Sequence, residues 1–219
     1  MLLDVQALKD GISEGAVLPR RLYDEKRWYI DIMEALTGVE MFLAKEHHEV
    51  GWPKWLAELA VFIFEEARET WKEDSIHFAE AVERAKDRDL DLYEGGAVWR
   101  SFRASVLDIA MKSIGDRDEP WRVKAREAVQ WSIDRDGEGN SRAEKALAII
   151  RREAEITPGK TLKEKITTPA AYAVLAAMSD RSAGGSNACV AAVAAGATIA
   201  DSHRQIFDAF IAALEEPKA

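Results

Sequence analysis

His77 is the side chain whose neighbours come nearest to a reactive constellation. Glu73 lies four residues before it and Glu80 three after, so on a helix all three share a face. Imidazole and carboxylate are also the donor pair that holds metals inside helical bundles. A di-metal bundle, however, repeats Glu-x-x-His on two helices and adds further glutamates, and no Glu-x-x-His occurs in this chain. Glu73, His77 and Glu80 are therefore a candidate metal or small-molecule site, set against the simpler account of ion pairs on a helix surface. No residue is assigned a catalytic role and no cofactor is expected, which leans the reading away from an enzyme.

Charge gives the second candidate. The chain carries 39 acidic and 30 basic side chains, a net charge of −9. Between Glu58 and Glu94 stand 12 acids and 5 bases, so most of the excess is local. Affinity for nucleic acid comes mainly from cation–phosphate contacts, which excludes it as the expected partner. An acidic surface suits a basic protein partner, and it equally serves solubility. Glu65, Glu66, Glu69, Glu73 and Asp74 are the candidate partner-binding residues.

Weaker patterns have simple structural explanations. Asp134-Arg135-Asp136-Gly137-Glu138-Gly139 opens like a calcium-binding loop, but Lys145 stands where a bidentate glutamate must close the shell. Glu46-His47-His48-Glu49 groups four donors that diverge on a helix, and His203 has Asp201 and Asp208 nearby without a ligand pattern. Gly184-Gly185-Ser186-Asn187 precedes a helix but lacks P-loop or dinucleotide spacing. The single cysteine, Cys189, excludes an intrachain disulfide and sits in an alanine run as a small apolar residue.

These residues need helices to position them, and apolar spacing of three and four predicts helices along most of the chain. They are expected near 24–44, from Pro53 to Trp71, over 75–86, over 97–114, from Pro120 to Asp134 and from Ser141 to Ala154. Asp118-Glu119-Pro120 and the Ser141/Glu144 pair read as helix openings. The stretch 157–168 reads as a polar loop before a helix opened by Pro169. Ser186 to Leu214 reads as one long helix, charge-free in its first half and hence central and buried.

The expectation is an all-α, multi-helix bundle of about seven or eight helices around this alanine-rich C-terminal helix. It is taken as a single domain over 1–219, with a candidate sub-boundary near 156–168. No apolar run reaches the ~18 residues of a membrane span, and the first residues lack a signal-peptide pattern. A cytoplasmic protein without a membrane partner is expected, and self-association is compatible with the sequence.

One segment resembles a known family. Asp118-Glu119-Pro120, Ala125, Ala128, Trp131, Asp136-Gly137, Ser141 and Ala143 through Ala148 are similar to a pattern in helical, alanine-rich immunity proteins of bacterial polymorphic toxin systems. Trp55, Ala57, Phe64-Glu65-Glu66 and Ala81 echo it more loosely. The resemblance covers about a quarter of the chain and brings no catalytic residues. It implies a non-catalytic protein that binds and blocks a toxin. The competing expectation is a metal- or small-molecule-binding helical enzyme centred on His77.

Overall fold

The computed structural model describes residues 5–14, 17–18, 23–24, 27–28, 30–31, 59, 70–87, 96–134, 141–156, 160–178 and 183–215. Among them run eight helices: α1 (Val5–Ser13), α2 (Trp71–Asp87), α3 (Ala97–Ile114), α4 (Pro120–Asp134), α5 (Ser141–Ile156), α6 (Lys160–Met178), α7 (Ala183–Ala194) and α8 (Ile199–Glu215). The fold is all-α, a multi-helix bundle, as the apolar spacing implies. Its only extended pairings among the described residues are two bridges of two-residue segments. Val17–Leu18 (β1) pairs in parallel with Ile30–Asp31 (β4), and Tyr23–Asp24 (β2) pairs antiparallel with Arg27–Trp28 (β3).

Those bridges correct the start of the helix expected over 24–44. Tyr23, Trp28 and Ile30 are aromatic or β-branched, types that favour extended backbone, and local pairing prevails over the helical spacing there. Residues 32–44 lie outside the described part. So does most of the Pro53–Trp71 helix: Leu59 is helical and buried, and Thr70 and Trp71 stand at the start of α2.

Two compact units divide between Glu94 and Gly95, with 214–216 belonging to the first. The helices flanking 156–168 both belong to the second unit. In the first unit α1 packs on α2, with Leu8 and Ile12 buried from one side and Phe78, Ala79, Val82 and Ala85 from the other. These α2 positions repeat at three and four residues, which makes a single apolar stripe.

Packing within the second unit centres on α3, α6 and α7, the last being the first half of the expected C-terminal helix. α3 packs against α4, α6 and α7, and α6 against α3, α4, α5 and α7. The α3 stripe Trp99, Phe102, Val106, Ala110 and Ile114 is buried throughout. Phe102 meets Phe210 of α8 edge to face, with ring centroids 5.8 Å apart. Ala173, Ala176 and Ala177 of α6, with Ala188, Ala191 and Ala192 of α7, are all buried, and side chains this small let two helices approach closely.

The long helix expected over Ser186–Leu214 is two helices. Gly196 has φ of +113°, its N–H donates to Val193 O, and the Ala197 N–H donates to Ala192 O. This is a Schellman stop, which needs a residue with left-handed backbone at its turn. Thr198 then opens α8. Its Oγ1 accepts from the Asp201 N–H at 3.0 Å and donates to the Asp201 carboxylate at 2.6 Å. The charge-free stretch is correspondingly not buried all round, since Val190 and Ile199 are exposed.

α6 departs from expectation in the other direction. It runs unbroken from Lys160 with Pro169 inside it, so 160–168 is helix rather than loop. Proline removes one amide donor, the partner of the Lys165 carbonyl. The good helix formers Leu162, Lys163, Glu164 and Lys165 favour the turn before it.

Three arginines tie helix ends together. Buried Arg103 of α3 donates to Ser132 O at 2.9 Å and Ala177 O at 3.3 Å, in the last turns of α4 and α6. Ser132 Oγ also donates to Ala177 O, at 3.1 Å. The last carbonyls of a helix lack internal partners and carry its negative dipole end, so a guanidinium there satisfies both needs. Arg122 donates to Ile114 O, and Arg126 to Gly115 O at 2.6 Å, closing the end of α3 in the same way.

Candidate functional site

The acidic region singled out by the sequence is described where it forms α2. Thr70 opens this helix, with its carbonyl accepting from the Asp74 N–H and its Oγ1 donating to the Asp74 carboxylate at 2.8 Å. Phe78, Ala79, Ala81, Val82 and Ala85 turn inward, and the exposed charged side chains of α2 lie on the opposite side. Lys72, Glu73, Glu83 and Arg84 are exposed, and His77 and Glu80 are half-buried.

An ion-pair network occupies part of this outer face. Lys9 Nζ of α1 donates to Glu80 Oε1 at 2.6 Å. Arg84 approaches Glu80 at 4.0 Å and donates to Glu215 Oε1 at 3.4 Å, and His77 Nε2 lies 3.9 Å from the same Glu215 oxygen. Glu80 is held below its ordinary carboxyl range chiefly by the Lys9 hydrogen bond, against opposition from burial. The Lys9, Arg84 and His77 charges lower it further. Pairs as exposed as these contribute up to ~1 kcal/mol each.

Each predicted residue has a distinct fate. Glu73 is exposed, as a docking role requires. Asp74 is only 3% exposed and accepts the Thr70 hydroxyl, so its carboxylate is part of the helix opening and not of an outer face. It stands one residue after an exposed position, and one step of about 100° turns it toward the core. Glu65, Glu66 and Glu69 lie outside the described residues.

The Glu73–His77–Glu80 trio shares a helix face as its spacing implies. Among the described residues, however, no group of three or more histidine, cysteine or acidic side chains is arranged to hold a metal. Glu80 is turned to Lys9 and Arg84 instead. Lys9 and Glu215 could not be found by inspecting α2, because they come from distant parts of the chain. Arg84, four residues after Glu80, was readable as a helical ion pair.

The remaining motifs are quickly placed. Asp134 is exposed at the end of α4 and accepts from Gln130 Nε2 at 2.9 Å, while residues 135–140 of the calcium-like loop lie outside the described part. His203 is buried on α8. Gly184 and Gly185 fall inside the first turn of α7, which starts at Ala183. His47 and His48 are outside the described residues.

No helix among the described residues is long and apolar enough to cross a membrane. Comparison with protein families, characterised proteins and solved structures finds no match to this chain.

Proposed function

We propose that the chain is a non-catalytic helical interaction protein that docks a basic protein partner through the acidic face of the 58–94 segment. The observation that carries the reading is the uneven pairing on α2. Lys9 and Arg84 are engaged by Glu80 and Glu215, whereas exposed Glu73 and Glu83 make no ion pair with any described residue. The outer face is therefore left with uncompensated negative charge, which attracts and orients a positive surface. Glu65, Glu66 and Glu69 lie in the same acidic sequence run and belong to the proposed face.

The resemblance over Asp118–Ala148 makes the role more concrete: an inhibitor or immunity-type protein of the cytoplasm that blocks a toxin by binding it. Such a role needs no cofactor and no nucleic acid. Affinity capture from a native extract, at low and high salt, tests it beside the triple variant Glu66→Lys, Glu69→Lys, Glu73→Lys. A basic protein retained at low salt and lost with the variant supports docking through this face. Identical retention by both proteins contradicts it.

A further inference from the structure

The second unit holds an open cleft of about 450 Å³ at the end of α4, and its residues differ in character with depth. Met111 of α3 and Trp131 of α4 are half-buried and form its apolar base. Glu127, Asp134 and Arg142 are exposed and form its rim. A volume between about 300 and 1,000 Å³, an aromatic wall and a few polar groups are what small-molecule sites present.

The rim charges are not equally committed. Arg126, also in the lining, is occupied by Gly115 O at 2.6 Å and Arg117 O at 2.9 Å, with Asp118 at 3.6 Å. Glu127 accepts from Lys124 at 2.7 Å. Asp134 accepts from the neutral amide of Gln130 and makes no ion pair with a described residue. Arg142 makes no hydrogen bond or ion pair with a described residue. One guanidinium and one carboxylate are thus left uncompensated on the rim of a cleft with an aromatic base.

A purely anionic ligand would meet Asp134 and Glu127, and a purely cationic one Arg142 and Arg126. A zwitterion meets neither repulsion. We infer that this cleft binds a small zwitterionic molecule with a flat apolar body, of the free aromatic amino acid class. Its carboxylate faces Arg142, its ammonium faces Asp134, and its ring lies against Trp131. Guanidinium matches carboxylate geometry, and aromatic faces prefer offset or edge contact with another ring. The inference does not depend on the proposed protein partner.

L-phenylalanine is the probe, titrated into ¹⁵N-labelled full-length protein while amide and indole NMR signals are followed. The expected result is saturable shifts at 126–134, 141–142 and the Trp131 indole, with a Kd on the order of 1 mM for a ligand of this size. Phenethylamine, which lacks the carboxylate, 3-phenylpropionate, which lacks the ammonium, and L-alanine, which lacks the ring, should each bind more weakly. Arg142→Gln and Asp134→Asn alter exposed side chains and should each weaken L-phenylalanine by up to about fivefold. Three results would each overturn the inference: no shift up to the solubility limit, shifts outside this cleft, or equal binding by all four probes and by both variants.

Discussion

Lys9 Nζ donates to Glu80 Oε1 at 2.6 Å, joining α1 to α2 across 71 residues of sequence. The bond keeps the Glu80 carboxyl below its ordinary value of 4.5. A depressed carboxyl in the folded state stabilises the fold fully above the unfolded value, and that stability is lost as pH falls through the folded value. Lys9→Met should therefore lower stability at neutral pH and have little effect at pH well below 4.5. Both side chains are more than a third exposed, at 39% and 36%, so solvent screening limits the loss. It should not exceed ~1 kcal/mol. Urea midpoints at the two pH values check this, and an equal loss at both would mean that Lys9 acts by packing alone.

Arg103 should be the costliest polar residue to replace in the second unit. Arg103→Met removes the donors of Ser132 O and Ala177 O in a buried place and should destabilise by about 2–4 kcal/mol. Its guanidinium also lies 5.6 Å from the Trp99 ring centroid. Arg103→Lys keeps the charge but not the planar fork that reaches two carbonyls, so it should fall between wild type and Met. Thermal unfolding followed by circular dichroism gives the order.

Gly115 should tolerate no side chain without strain. Its φ of 74° and ψ of 173° place it in a region that is essentially open to glycine alone. Gly115→Ala should cost about 1–3 kcal/mol. The built Cβ comes 3.4 Å from Arg122 Nη1, an ordinary contact, so the loss should come from the backbone. A Gly115→Asn variant should recover none of it, because asparagine's tolerance of positive φ is mostly for the left-handed helical region, which a ψ of 173° excludes. The unfolding midpoints of the two variants decide between strain and crowding.

What could be read from the chain alone follows from how local each signal is. α3, α4 and the start of α5 lie where apolar spacing, Pro120 and Ser141 put them, and Ile206, Phe207, Phe210, Ile211 and Leu214 of α8 are buried as their spacing implies. The break at Gly196 was written in Gly196, Thr198 and Asp201, but the surrounding alanines favour helix strongly enough to hide it. The role of Arg103 was not legible, because its partners are backbone carbonyls 29 and 74 residues away. On α2 the shared face of Glu73, His77 and Glu80 was readable. The capture of Glu80 by Lys9 was not, since it depends on how α1 packs.

The most direct measurement is the affinity of the captured basic partner for wild type and for Glu73→Lys/Glu83→Lys, taken over a salt series. Charge-steered docking predicts affinity that falls steadily with salt in wild type. The double variant should bind at least about fivefold more weakly at low salt, and the two curves should converge at high salt. Affinity that is independent of salt and unchanged by reversing both glutamates would contradict docking through this face.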